Sequence, residues 1–207
     1  MHATVHQFHR SVPDESPGWA AALAASLHGD SPTGNCTLTQ LAGLEGCVVA
    51  FWPSAEAAAA AVDRRTDDGP VWLDAAAYRV TESHRGTAAD QPPAFAQLTW
   101  FDRPLSQAEA DAAERAGRDR IWPAVREVPG LVAVQVLAGT DRSMLVLALA
   151  TGIETHEEVQ RAVFTTELLP DEDPALLRDP DRVQVDRVAA ASLSAVLPTL
   201  VTAGTTS

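Results

Sequence analysis

The sequence predicts an α+β protein built from two tandem βαββαβ units whose sheets close on each other as one barrel within a single chain. Three observations carry this. The order strand, helix, strand, strand, helix, strand reads twice along the 207 residues. Segments at matching places in the two halves resemble each other, as in an internal repeat. Each four-stranded sheet also has a second face too apolar to leave in water, and packing the two sheets together covers both.

The first strand, Ala3-Thr4-Val5-His6-Gln7-Phe8-His9-Arg10, shares its frame with Ala96-Gln97-Leu98-Thr99-Trp100-Phe101-Asp102-Arg103, with Phe8 over Phe101 and Arg10 over Arg103. Ser16 is the expected N-cap of the first helix and Pro17 its first residue, where a missing N–H costs nothing. Ala20, Leu23, Ala24 and Leu27 follow at i, i+3, i+4 and i+7 as one apolar stripe, and Gly29 ends the helix. Leu38–Gly43 matches Val134–Gly139, and each is followed by a turn and an apolar strand, Cys47–Trp52 and Met144–Ala150. In the second half, Ser106 and Glu109 form a capping box before a longer helix that Pro123 kinks or ends. The second helices start at Ser54 and at Thr155, the latter with Glu158 in capping-box spacing, and Val159, Ala162 and Val163 form its buried face. The fourth strands are Tyr78–Ser83 and Val183–Val188. The expected boundaries are residues 1–86 for the first ferredoxin-like unit, 87–93 for a linker rich in glycine, alanine and proline, and 94–191 for the second unit. Residues 192–207 form a C-terminal tail, read as a short helix or a loosely docked segment.

Composition narrows the function classes. The chain is 46% apolar and 21% charged, as a globular domain is. Its formal charge is −13 and it contains no lysine, a pattern that with its abundant alanine matches a high-G+C bacterial genome. Such an acidic chain repels phosphate, which argues against nucleic acid and anionic membrane as partners. No stretch approaches the ~20 apolar residues of a membrane helix, and Met1-His2-Ala3-Thr4 lacks the basic start and apolar core of a secretory signal. With the hairpin register expected here, Cys36 pairs near Pro53 and Cys47 near Ala42, too far apart for a disulfide. Both thiols are therefore expected to be reduced and the protein cytoplasmic.

Val48-Val49-Ala50-Phe51-Trp52-Pro53-Ser54-Ala55-Glu56-Ala57 resembles the antibiotic biosynthesis monooxygenase family of the dimeric α/β barrel superfamily, whose third strand often closes on a tryptophan before a Ser and a Glu-Ala. Pro129-Gly130, ahead of Leu131–Leu137, is similar to the Pro-Gly that leads into that family's second strand. The resemblance spans most of the chain as two copies. It implies a small, mostly apolar substrate inside the barrel, often an aromatic polyketide oxidised by molecular oxygen with no metal or flavin. Relatives include haem-degrading enzymes, whose axial histidine lies in the second helix. Here that helix reads Ala55-Glu56-Ala57-Ala58-Ala59-Ala60-Ala61-Val62, without histidine. In the second copy Ala150 stands where Trp52 stands in the first, and the helix opens Thr155-His156-Glu157-Glu158, so the two pockets are not equivalent.

Strand alternation puts His6 and Phe8 on one face and Gln7 and His9 on the other. Pointing Ala96, Leu98 and Trp100 towards the helices leaves Thr99 and Phe101, and hence His6 and Phe8, facing a cavity between the sheets. His6 is then the candidate base, titrating near neutrality and able to take a proton from a phenol or activated methylene; its alternative is a hydrogen-bonded core histidine. Trp52 is expected as an apolar wall that orients a planar substrate. Arg79, opposite Tyr78 and Val80, is placed to stabilise an enolate or else to sit exposed at the rim. Ala50 joins the apolar face, Thr39 and Gln135 are candidate polar contacts, and Trp72 caps the mouth or packs on the surface. No metal or other cofactor is expected: His6 and His9 face opposite ways, no carboxylate joins His2 and His6, and Asp171-Glu172-Asp173 lacks a calcium loop's spacing. The function expected is a cofactor-independent monooxygenase acting on a small polyketide- or quinol-type aromatic. The alternative is a non-catalytic ligand-binding or stress-response barrel, and either form is open to homodimerisation through outer surfaces.

Overall fold

The structure, a computed structural model, describes residues 1–11, 18–28, 32–66, 69–193 and 196. Eight antiparallel strands close into a barrel in the order β1-β3-β2-β8-β5-β7-β6-β4. They are β1 (His2–His9), β2 (Gly34–Gln40), β3 (Glu45–Trp52), β4 (Val71–Arg85), β5 (Phe95–Phe101), β6 (Leu131–Gly139), β7 (Met144–Ala150) and β8 (Arg182–Ser192). Each half of the chain follows the same path, 4-1-3-2 and 8-5-7-6. The two sheets are joined at β2–β8 and β4–β6, so no strand edge is left open.

The helices lie outside the barrel. α1 (Trp19–His28) buries Ala20, Leu23, Ala24 and Leu27, the expected stripe; its expected start at Ser16 and Pro17 and its end at Gly29 lie outside the described residues. α2 (Ala55–Val62) is capped by the Ser54 hydroxyl, which accepts from the Ala57 N–H. The capping box of α3 (Gln107–Ala116) forms as expected between Ser106 and Glu109. The chain then takes one π-helical turn (Gly117–Ile121) before α4 (Trp122–Val125), a local widening just ahead of Pro123, whose ring and missing N–H do not fit an unbroken α-ladder. α5 (Ile153–Thr165) begins two residues before the expected Thr155, at the Gly152 N-cap. Thr155 is not a cap there; its hydroxyl donates to the Pro129 carbonyl.

The barrel interior is a core, and this overturns the expected cavity between the sheets. Ala3, Val5, Leu38, Val49, Phe51, Leu98, Trp100, Leu137, Leu145, Leu147 and Leu149 belong to one contiguous buried cluster to which all eight strands contribute. Leu193 and Val196 join it from the segment after β8, while the rest of the expected tail lies outside the described residues. The two best-defined recesses, of about 350 and 390 Å3, are open and lie outside the barrel wall.

The expected strand phase is therefore inverted. Ala96, Leu98 and Trp100 point into the barrel, and His6, Phe8, Val48, Ala50 and Trp52 point towards the helices. The hairpin register also differs. Cys36 pairs with Val49 and Cys47 with Leu38, so the two residues are diagonal neighbours on the inner face rather than far apart. Both are free thiols whose pKa burial pushes up, to about 12 for Cys36.

The interior also holds a polar layer near the end of β1. Arg182 lies 4.4 Å over the Trp100 ring and donates across the barrel to Gln7 Oε1 at 3.3 Å. Below it, the fully buried Asp186 carboxylate accepts both of its bonds from Gln184 Nε2, and burial raises its pKa to about 6.

Residues 1–86 alone would expose the inner face of their sheet, with Val5, Leu38, Val49 and Phe51, and leave one edge of β2 and one edge of β4 unpaired. At ~25 cal/mol per Å2 this loss exceeds the few kcal/mol that so small a unit has to spare. We expect the isolated half to be aggregated or unfolded by light scattering and denaturant titration, whereas the full chain melts cooperatively.

Candidate functional site

The residues singled out on β1 and β3 do come together, on the helix side of the first half. β1 presents Thr4, His6 and Phe8 outwards, and β3, paired with it from His2↔Trp52 to His9↔Glu45, presents Val48, Ala50 and Trp52. α2 crosses above them. It is made almost wholly of alanine, and the small side chains of Ala58 and Ala61 let its backbone lie close enough for His6 Nε2 to reach the Ala61 carbonyl at 3.1 Å. A carbonyl can only accept, so Nε2 carries the proton and Nδ1 carries the lone pair. Nδ1 has no partner among the described residues.

A second imidazole completes the cluster. His28, in the last turn of α1, lies 5.1 Å from His6 and 5.2 Å from Trp52 between ring centroids, edge to face in both cases. It is 2% exposed, and neither ring nitrogen has a hydrogen-bond partner among the described residues. Trp72 closes the opposite side, 6.0 Å from both His6 and Phe8, with its indole N–H directed at Thr66 Oγ1. Trp52 is 1% exposed and donates to Thr4 Oγ1 at 3.0 Å. Arg64 Nη1 donates to the His28 carbonyl at 3.1 Å, and its guanidinium lies 5.7 Å from the Trp52 ring.

Both imidazoles are held neutral. Burial pulls the His28 pKa down to about 3, with further lowering from His6 and the Arg64 charge. Burial also lowers that of His6; the Ala61 bond opposes this, and the Arg65 and Arg64 charges add to it. The site thus contains an apolar aromatic box, an imidazole lone pair fixed by its tautomer, and a guanidinium at the edge. Chemically it can accept a proton from a flat, weakly acidic molecule.

The other expected residues are scattered. Thr39 is buried beside β8 on the helix side of β2. Thr99 accepts from Gln97 under α5, and Phe101, half-buried, lies on that same outer face. Gln135 points into the barrel core and donates to Ser83 Oγ. Arg79 is exposed on the outer face opposite His2, without an ion pair, away from any enolate-binding position near His6. Trp72 belongs to β4, which begins seven residues before its expected start at Tyr78. His28 and Arg64 were missed. Ala20, Ala24 and His28 lie at i, i+4 and i+8, so extending the helical stripe by one step would have found the histidine. Among the described residues no group of three or more His, Cys, Asp and Glu converges as metal ligands.

No family model matches the chain, and no curated protein matches it significantly. Solved structures do match over nearly its full length. A protein from Fusobacterium nucleatum provisionally named a monooxygenase is 9% identical with a TM-score of 0.57, covering 92% of this chain and 93% of its own. An anthrone oxidase-like protein is 12% identical with a TM-score of 0.57, covering 92% of each chain. A heme-degrading enzyme from Listeria monocytogenes is 9% identical with a TM-score of 0.53, covering 91% and 99%. The fold these structures share with this chain is the eight-stranded antiparallel barrel with its helices outside. At these identities the likeness speaks for the barrel and its helices, and the chemistry rests on the residues above. No helix among the described residues is long and apolar enough to cross a membrane.

The neutral histidines give a signed pH dependence. His28 titrates at 6.5 when unfolded and about 3 when folded. Its contribution is present above pH 6.5 and is lost as pH falls towards 3, at up to about 1.4 kcal/mol per pH unit. Asp186 works in the opposite sense: its folded value, raised from 3.8 to about 6, adds stability as pH falls through that window. In urea titrations between pH 4 and 7, His28→Leu is expected to flatten the acid loss and Asp186→Asn to steepen it.

Proposed function

We propose that this chain is a cofactor-independent monooxygenase acting on a polyketide- or quinol-type aromatic, and that its site is the His6–His28–Trp52–Trp72 cluster between β1, β3 and α2. The observation that carries the reading is the unpartnered Nδ1 of His6, fully buried in an aromatic box and fixed as a lone pair by the Ala61 carbonyl. Trp52 and Trp72 hold the substrate ring, and His6 Nδ1 removes a proton from a methylene or phenol. The carbanion passes electrons to dioxygen and a carbon–oxygen bond forms. The resulting hydroperoxide loses water to leave a carbonyl, so one oxygen atom ends in product and one in water. An anthrone-type CH2 gives up four electrons and O2 takes four, so the reaction is balanced without a further reductant.

We also infer that the halves are two tandem ferredoxin-like units, residues 1–86 and 94–191 joined by 87–93, of which only the first keeps the site. On this reading the protein works in the cytoplasm, where both thiols stay reduced, and any homodimer forms through its outer surfaces.

With anthrone or a dihydroquinone, oxygen uptake is expected at one O2 per anthrone oxidised and unchanged by chelators. His6→Ala is expected to lower it by about 100-fold or more. His6→Asn, which keeps a donor for the Ala61 carbonyl, separates loss of the base from loss of the fold. A flat uptake trace across both substrate classes overturns the reading. The second reading, a non-catalytic binding barrel, draws on how tightly the rings of His6, His28 and Trp52 are enclosed. It predicts that His6→Ala changes affinity for an apolar aromatic by no more than about 1 kcal/mol, as titration of tryptophan fluorescence would measure.

A further inference from the structure

Arg64 places its guanidinium against the aromatic cluster rather than against a carboxylate. Arg85, Arg103, Arg115, Arg118, Arg120, Arg126 and Arg178 each pair with a carboxylate. Arg64 is half-buried, makes no such pair among the described residues, and spends one N–H on the His28 carbonyl beside Trp52. Its neighbour Arg65 likewise bonds only backbone carbonyls, of Val62 and Arg64. The cluster therefore sees two positive charges that no nearby described carboxylate neutralises, in a molecule whose net charge is −13.

The segment leaving α2 builds this arrangement. From Ala61 to Thr66 the chain touches the cluster three times: Ala61 O at His6, Arg64 at His28 and Trp52, and Thr66 at Trp72. One short strap thus fixes the tautomer of the base, the position of the second imidazole and the place of the guanidinium. Arg64 sets a half-buried guanidinium beside aromatic rings and neutral imidazoles. A guanidinium at a partly desolvated edge is suited to a carboxylate, which it can bind through two parallel N–H donors.

We infer that the ligand of this site is an acidic aromatic, carrying a carboxylate that docks on Arg64 while its ring system lies against Trp52. This rests on the reading of the site given above and extends it to a substrate class. The anion does more than bind. The Arg64 and Arg65 charges disfavour protonation of His6, and a carboxylate on Arg64 offsets that field. Docking the correct substrate thereby makes His6 the stronger base, so recognition of the charged group and readiness for proton transfer are coupled.

The probes are anthracene-2-carboxylate and its neutral isostere 2-methylanthracene, titrated against the full-length protein by quenching of tryptophan fluorescence. The carboxylate is expected to bind at least tenfold more tightly at low salt, with the advantage shrinking as salt rises. Arg64→Gln, which retains a donor for the His28 carbonyl, is expected to remove that advantage and leave 2-methylanthracene within twofold. Arg64→Lys is expected to keep part of it. Equal affinity for the two probes, or equal loss of both in Arg64→Gln with an unchanged melting curve, overturns the acidic-ligand inference and leaves the aromatic site standing. Binding of neither probe overturns the site itself.

Discussion

Closure of the barrel through β2–β8 and β4–β6 governs what the rest of the molecule can do. Each sheet alone would have one face under helices and one face bare, and joining the two edges turns both bare faces into a single interior. That interior is occupied by leucine, valine, alanine and aromatic side chains that are almost all fully buried against one another. A site in the first half must therefore lie in the other gap, between the sheet and its helices. There the packing is set by alanines on α2 rather than by interlocking large residues. The polar layer of Arg182, Gln7, Gln184 and Asp186 is consistent with this, since Arg182 donates across the interior to Gln7 and Gln184 donates along β8 to Asp186.

Element order was legible in the sequence because helix caps, apolar stripes and repeated strand frames are local signals. Ser54, the Ser106–Glu109 box and the Ala20-Leu23-Ala24-Leu27 stripe all behave as their spacing implies. Strand phase was not legible, for a physical reason. Alternation identifies the core face only when the opposite face meets water, and in β3 every residue from Gly46 to Trp52 is buried. With both faces dry, the assumption that the tryptophan and histidine face of β1 and β3 points inwards had nothing to correct it. The grouping of His6, Phe8, Ala50 and Trp52 survived the inversion because they share a face whichever way that face points. Thr99, Phe101, Thr39 and Gln135 were chosen by carrying the same assumption to other strands, and they dispersed. β4 and β8 were underestimated because pairing extends them beyond what their own sequence signals, β4 along β1 at its start and β8 along β2 at its end.

The two halves show how one backbone path can hold a candidate site in one copy and ordinary packing in the other. Where the first half has Thr4, His6 and Trp52, the second has Gln97, Thr99 and Ala150. Gln97 bonds to Thr99 and accepts from Gln160 of α5, so these polar groups satisfy each other. With alanine in place of tryptophan, the position matching Trp52 offers no ring, and Phe95 faces Ala150 across the pair instead. Val125, Leu131 and Val159, with Trp122, Ala162 and Val163 against them, fill the remaining space under α4 and α5. Burial alone therefore does not distinguish the halves. Unpartnered buried nitrogens do not distinguish them either, since His156 and Trp100 of the second half carry them too; what sets the first half apart is that His6 and His28 lie together beside Trp52 and Trp72.

The convergence of two such imidazoles beside two tryptophans is what separates the first-half cluster from ordinary core packing. A buried polar atom that forgoes hydrogen bonding costs about 1–3 kcal/mol, and sequences seldom keep such atoms where a leucine would pack as well. Here three ring nitrogens, His6 Nδ1 and both of His28, carry that cost within about 5 Å of one another between ring centres. Burial and the arginine charges keep both rings neutral, which limits the penalty to that of an unmet dipole rather than a buried charge. A neutral imidazole whose lone pair is unused is poised to receive a proton, and it does so only if something nearby offsets the positive field. No described carboxylate forms an ion pair with Arg64, and on the reading proposed above that offset comes from a molecule entering beside it.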